Sequence, residues 1–314
     1  MNIVNLIKKF QERRIFFILL GFWIIMIIFY PREFLNPAVL KATILAMSSI
    51  AVISVGMTVL LVSGGFDLSV GSVVTFTGVV AAMVLRNGMP WFAAMLFAIL
   101  CGAAVGFGNG LLIAKLRINA FITTLGMMIF IRGLATILSA GNNVPIMNET
   151  YNWVGQASIW GIQVPILVCL AVIICGDFLL RKSRYFRQNY YIGGNENAAI
   201  LSGIPVVKIK IQNYMLSGAL AAIAGILLSA RLGNGSLTAG INMEFKAVTA
   251  AIIGGCALTG GKGTVLGAFF GAMLMATIDS AINIMPVDSY WQEFVTGIVL
   301  FFAIIIDSIG KKEK

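Results

Sequence analysis

Histidine is absent from this 314-residue chain. The commonest metal ligand, and the one side chain that titrates unperturbed near neutrality, is therefore missing, which argues against zinc sites and imidazole catalysis. Charge is scarce as well. Asp, Glu, Lys and Arg make up 11% of the residues, less than half of the roughly 25% of a soluble domain. Cysteine is limited to four positions, Cys101, Cys169, Cys175 and Cys256, all in apolar stretches and without a CxxC. They read as small packing residues, not as a disulfide framework or a metal site. What is there is 59% hydrophobic, with a mean hydropathy of +0.96. Such a chain is an all-α polytopic membrane protein, read here as one transmembrane domain over residues 1–314.

Acidic residues number 12 against 22 basic ones, a net charge of +10. The placement of the basic residues speaks against nucleic acid and for membrane topology. They gather at Lys8, Lys9, Arg13 and Arg14, at Lys115 and Arg117, from Arg181 to Arg187, at Lys208 and Lys210, and at Lys311, Lys312 and Lys314. A span needs about 20 apolar residues, fewer with snorkelling flanks. Ten segments qualify: 15–30, 42–63, 70–85, 92–113, 120–138, 162–180, 213–232, 247–257 (the shortest), 265–284 and 291–309. With both termini cytoplasmic, Arg32, Lys41, Arg86, Arg132, Arg231 and Lys246 fall elsewhere and the other 22 − 6 = 16 basic residues fall inside, as the positive-inside rule requires. The first apolar run ends in Tyr30-Pro31-Arg32, unlike a cleavage site, and reads as a retained span. Ser139 to Gly161 lacks Lys and Arg, contains four Asn, and is expected outside, with Tyr151, Trp153 and Trp160 at the interface.

The main interruption reads Gly64-Gly65-Phe66-Asp67-Leu68-Ser69-Val70-Gly71-Ser72, between uncharged runs at Ser48–Leu61 and Val73–Leu85. A carboxylate there is costly, and non-helical backbone at membrane depth is tolerated only against protein or a water-filled cavity. The break thus points to transport. The favoured role for Asp67 is structural, accepting from the freed N–H groups of Leu68 to Gly71 as an N-cap does; bonding to a solute is the alternative. Gly254-Gly255-x-x-Leu258-Thr259-x-Gly261 echoes the break at an offset of 254 − 64 = 190, and duplicated halves with interrupted helices recur in transporters. Small-residue pairs Gly102/Gly106 and Gly267/Gly271 allow close helix approach. Asn109, Phe121, Thr123, Thr124 and Asn283, together with Gly64, Gly65, Asp67 and Ser69, are candidates for a solute pathway. Asp177 and Asp307 are expected near inner helix ends, Asp279 toward a helix partner or the pore, and Glu244 near the outer surface.

Inside, Arg181 to Gln212 is the longest hydrophilic stretch. It contains Gly193-Gly194-Asn195-Glu196-Asn197-Ala198-Ala199-Ile200-Leu201-Ser202-Gly203-Ile204-Pro205. Asn195 caps a helix of about two turns, Gly203 ends it and Pro205 prevents its resumption. A helix this short is unstable alone in water, so Ala198, Ala199 and Leu201 need something to pack against. A P-loop is excluded: near Lys262 the GxxxxGK[ST] pattern fails at Cys256 and Gly263.

The Gly, Asn-Glu, Ala-Ala, Ser-Gly order of that loop resembles the coupling loop, about 181–212, of ABC importer permeases of the ribose/xylose/simple-sugar branch. Val62 to Ser72, Asn109-Gly110-Leu111-Leu112, Phe121 to Gly126 with Arg132-Gly133, Ser217-Gly218 to Ala230-Arg231-Leu232, Ile253-Gly254-Gly255 to Thr264, and Ser289-Tyr290-Trp291-Gln292 resemble the same branch in order, over roughly 40–309. The loop departs in reading Glu196-Asn197-Ala198-Ala199 where such permeases often have Glu-Ala-Ala; Phe66 and Lys246 are also less typical. The resemblance implies a bacterial inner-membrane permease without covalent chemistry or an ATP site. A separate cytoplasmic ATPase, holding ATP and Mg, would dock at Asn195, Glu196, Ala198, Ala199, Leu201, Ser202 and Gly203. An extracytoplasmic sugar-binding protein and a second permease subunit, identical or related, would complete it. Rival readings are a nucleoside or furanosyl-signal permease, an ion-coupled secondary transporter using Asp67 and Asp279, and a membrane enzyme, which lacks a catalytic constellation.

Overall fold

The computed structural model describes residues 3–285, 288 and 290–312. Ser289 and Lys314 lie outside the described residues, as do the side chains of Lys8, Lys9, Arg13, Arg14, Lys311 and Lys312. Helices α1 (Ile3–Phe29), α2 (Pro31–Phe34), α3 (Pro37–Val62), α4 (Val70–Arg86) and α5 (Trp91–Gly110) come first, the last running on through a π turn, Leu111–Lys115. Then follow α6 (Ala120–Leu138), α7 (Glu149–Gln156), α8 (Val164–Lys182), α9 (Arg184–Gly194) and α10 (Glu196–Leu201). Helices α11 (Val206–Leu232), α12 (Met243–Ile253), α13 (Val265–Ile284) and α14 (Trp291–Lys312) close the order. Four two-residue strands form two antiparallel ladders, β1 (Val144–Pro145) with β4 (Asn234–Gly235) and β2 (Ser158–Ile159) with β3 (Ile162–Gln163).

Each of the ten predicted segments falls wholly or partly on a helix. Among the described residues six helices are long and apolar enough to cross a membrane: α3, α5 with its π turn, α6, α8, α11 and α13. Ile15–Phe29, Val70–Arg86 and Trp291–Ile305 are shorter apolar helices. The segment expected at 247–257 is displaced: α12 has 11 residues and ends at Ile253, because Gly255, at φ +97°, turns the chain.

Helix α3 is the centre of the bundle. Asn36 caps it by accepting from the Ala38 N–H, Pro37 opens it, and it is buried on all sides from Met47 to Val62. An apolar stripe all round is what such a position demands. Helices α11, α13 and α8 pack on it. Helices α5 and α11 approach closely: a Cβ at Gly102 would meet the Gly218 carbonyl and Ala222, and one at Gly106 would overlap the Tyr214 carbonyl. Gly267 and Gly271 play the same part between α13 and α12, against Gly254 and Ala250. Lipid gives helices no hydrophobic reason to associate, so backbone proximity of this kind carries the packing.

Two expectations on the loops change. Tyr151, placed at the interface from sequence, is fully buried; α7 folds back on α11 and the Tyr151 hydroxyl lies 2.8 Å from Ser229 Oγ. The chain after α11 is also not an outer loop throughout. From Gly233 to Asn242 it descends beside α4, with Gly235 against Gly78 and Gly240 against Gly71 and Thr75, whose Oγ1 accepts from the Gly240 N–H at 3.2 Å. This irregular segment, buried at Gly235 and Gly240 and exposed at Thr238 and Ile241, then leads into the half-length α12.

Gly106→Ala should destabilise the bundle by about 1–3 kcal/mol through overpacking. Gly133→Ala, where nothing lies within 4 Å of the new Cβ, should be neutral. Thermal aggregation midpoints of the two variants in detergent check the contrast, and equal midpoints would refute the packing account.

Candidate functional site

The break after α3 is a helix end followed by a hydrogen-bonded turn. Gly64, at φ +79°, donates to the Leu61 carbonyl and Gly65 to the Leu60 carbonyl, both at 2.9 Å, which is a Schellman cap. Asp67, 1% exposed, follows. Its Oδ1 accepts from the Ser69 N–H at 2.8 Å and the Ser69 hydroxyl at 2.6 Å. Asn109 Nδ2 donates to Ser69 Oγ at 2.9 Å and reaches Asp67 at 3.4 Å. The Tyr214 hydroxyl donates to the Phe66 carbonyl at 3.1 Å, and the Phe66 ring faces Phe121 with centroids 6.4 Å apart. Gly64, Gly65, Asp67, Ser69, Asn109 and Phe121 thus meet in one cluster. The bonds to Asp67 favour the structural role, with Ser69 the one backbone N–H donor in place of the whole run from Leu68 to Gly71, and Asn109 a further side-chain donor.

Thr124 is buried with its hydroxyl bonded to its own helix at the Ala120 carbonyl, 2.8 Å away, while the Thr123 hydroxyl has no partner among the described residues. Asn283 is not brought to this cluster. It lies exposed at the other end of α13, accepting from Gln292 at 2.7 Å.

The second glycine-rich turn has the same construction in a shifted register. Gly255 donates to Ile252 and Cys256 to Ala251, each at 2.9 Å. The structure therefore matches Gly64 to Gly255, one residue beyond the sequence alignment. Both turns converge on the end of α9. The Gly261 N–H donates to the Val62 carbonyl at 2.9 Å, and a Cβ at Gly193 would overlap that same carbonyl and the Gly261 nitrogen. A Cβ at Gly260 would lie 2.8 Å from Gly193 Cα and 3.0 Å from Gly64 Cα. Tyr190 donates to the Gly263 carbonyl at 2.8 Å.

Directly after this junction stands α10. Asn195 Oδ1 accepts from the Ala198 N–H at 3.0 Å, and Gly203, at φ +78°, closes a Schellman cap through Ile204 and Ala199. Pro205 separates α10 from α11, but the chain is helical again at once from Val206. Glu196 is held by Lys210, 2.6 Å away, bracing the helix against α11. Ala199 is buried with Ile192, Val206 and Ile209, and Tyr185, whose phenol burial pushes up, packs on them. Ala198 and Ser202 are exposed, and Leu201 stands out at 89% exposure beside half-exposed Ile200.

Several charged groups are paired, and Asp279, expected toward a helix partner or the pore, has its partner on α12. Glu244 is not at the surface: it is 2% exposed, 3.9 Å from Arg132, and fills the space that a side chain at Gly71 would take. Lys246 holds Asp279 at 2.7 Å, Asp177 pairs with Arg181 one turn on, and Asp307 accepts from the Leu258 N–H at 3.4 Å. Arg132 and Glu244 sit on different helices 112 positions apart (244 − 132), and only the repeated scarcity of charge marked them. Among the described residues no three His, Cys, Asp or Glu side chains converge as a metal site.

Asp67→Ala should leave the Ser69 N–H and hydroxyl unpaired in a buried turn, at a cost of about 1–3 kcal/mol, and lower the yield of folded protein. Asp67→Asn, which keeps an acceptor, should retain it. A well-folded Asp67→Ala protein altered only in solute preference would assign this residue to the pathway instead; detergent melting and uptake together decide.

Comparison with known proteins agrees with this architecture. The family described as branched-chain amino acid transport system / permease component matches residues 39–304. The L-arabinose ABC transporter permease protein of Azospirillum brasilense is 35% identical over 282 residues, 90% of this chain and 83% of that protein. The ribose import permease protein of Escherichia coli K12 is 37% identical over 262 residues, 82% of each chain. That of Bacillus subtilis 168 is 34% identical over 292 residues, 92% of this chain and 91% of its own. No solved structure matches. Spanning helices, paired internal charges and a match over most of its length place this chain in that family of transport-system permeases, as a multi-pass membrane subunit of an ABC importer.

Proposed function

We propose that this permease passes a pentose or similar small neutral polar solute across the bacterial inner membrane, driven by a separate ATPase docked on α10. The observation that carries the reading is Leu201. A six-residue helix has no independent stability in water, yet α10 is capped at both ends, braced by Lys210 and packed through Ala199, all to display Ile200 and Leu201. Two exposed apolar side chains on a rigid, polar loop are a docking feature. The sugar assignment is supported by the ribose and arabinose permeases among the relatives. A solute-binding protein outside and a second permease subunit complete the working unit, and the clustering of basic residues on one side supports an orientation with both termini and α10 inside. Ion coupling through Asp67 and Asp279 is disfavoured, because Asp67 is committed to Ser69 and Asp279 to Lys246.

Leu201→Asp should lower ATP-driven pentose uptake by about tenfold or more, as loss of an apolar anchor of roughly 1.5–3 kcal/mol predicts, while the protein still inserts and melts normally. Ala199→Asp should instead unfold the loop itself. Unchanged uptake by Leu201→Asp in proteoliposomes with the co-purified ATPase would reject docking at α10. A topology reporter should read outside at Asn148 and inside at Asn195; the reverse would overturn the orientation.

A further inference from the structure

A cavity lies away from the glycine junction and from α10, larger than a second one at α7. It is a groove of about 660 Å³ between α12 and α14, within the roughly 300–1,000 Å³ of small-molecule sites. It descends along α14 from Gln292 to Leu300, eight residues or about 12 Å of helix. Its far wall is Ile241 and Asn242, the last turn of the irregular segment that leads into α12. Interrupted helices in transporters mark the solute path, and charged or amide groups at such depth face protein or water, not lipid.

The geometry points to a neutral polyhydroxy solute as the occupant of this groove, a stopping place on the transport path. This deepens the proposed pentose function and rests on it. The lining combines flat aromatic faces, Phe245 and the 85%-exposed Tyr290, with fixed polar groups. Asn242 Nδ2 donates to Glu293 Oε1 at 2.7 Å, which orients both side chains. Gln292 is oriented by Asn283, so Asn283 adjoins the path at this rim and not at the Asp67 cluster. Lys246 points to Asp279 Oδ2, whose other oxygen is buried without a hydrogen-bond partner among the described residues. The single cation at the groove is thus already matched by carboxylate, with Glu293 beside it. That leaves no spare positive charge for an anionic solute, and many oriented amide and carboxylate atoms for hydroxyl groups.

Gly297 lines the groove, is exposed, and has nothing within 4 Å of a built Cβ, so Gly297→Cys probes it without a clash. The test uses full-length protein with Cys101, Cys169, Cys175 and Cys256 replaced, reconstituted with its ATPase in proteoliposomes. A membrane-impermeant maleimide is applied with D-ribose, L-arabinose, D-xylose, D-glucose or L-leucine. We expect labelling, slowed about tenfold by one of the aldoses at about ten times its Kd and not by leucine. No labelling, as for a groove sealed by lipid or a second copy of the chain, overturns the inference. So does labelling that no aldose slows, or that leucine slows instead. ATP-driven uptake of the same aldoses is measured in parallel. Uptake without protection sinks the groove alone, whereas protection without uptake sinks the importer reading alone. As a second variant, Asn242→Gly, which removes the amide but suits the left-handed backbone at φ +63°, should raise the KM for uptake about tenfold, the effect of one lost oriented hydrogen bond pair, with kcat and assembly kept; an unchanged KM counts against the groove.

Discussion

At Gly193 three stretches of backbone come together with no room for a side chain. The Val62 carbonyl at the end of α3 and the Gly261 N–H before α13 bond to each other directly beneath it, and Gly260 closes on Gly64. Three elements leave from this point. The turn holding Asp67 leads upward into α4, the second turn leads into α13, and Asn195, two residues on, starts α10. A side chain at Gly193 would separate these strands of backbone. Their contact therefore sets the start of α10 directly against both helix breaks, backbone on backbone.

Much of this was legible in the amino-acid sequence, for identifiable reasons. Caps are local, so Asn195 and Gly203 could be assigned to the ends of α10 without tertiary information. Charge scarcity and apolar run length are composition, so the helices could be located. The Gly102/Gly106 and Gly267/Gly271 pairs follow from the need for close approach in lipid. The echo between the two glycine-rich turns was visible too, though identity matching paired Gly64 with Gly254, whereas the cap hydrogen bonds pair it with Gly255. Matching letters favours the longest run of identities; a Schellman cap is defined by which residue takes the left-handed conformation.

What stayed hidden depends on long-range partners. Glu244 follows a polar stretch and reads as surface, yet it is buried because Arg132 meets it and Gly71 leaves it space. Tyr151 has the polar tip of an interface aromatic, but Ser229 offers that tip a partner inside. The descent from Gly233 to Asn242 could not be told from an ordinary loop, since its burial rests on Gly78, Gly71 and Thr75 in a helix far away in sequence. In each case the local residues permit two environments and a distant residue decides.

The same logic separates structural polar groups from those available to a solute. Ser54, Thr58, Thr77, Thr124, Thr249 and Thr277 all bond a carbonyl four residues back in their own helix, which uses the hydroxyl proton and leaves these groups only as acceptors. Polar residues chosen for the pathway by type alone therefore include many already occupied. The groups that cannot satisfy themselves in this way are amides and charges, which must find partners on other elements. Within the bundle they gather around the half-helix α12: Asn242, Glu244 and Lys246 on one side, with Glu293, Arg132 and Asp279 answering from α14, α6 and α13. An irregular segment, a half-length helix and three cross-element charge or amide pairs coincide there. A continuous apolar helix at that position would need none of these partners, so the short helix and the polar pairs around it depend on one another.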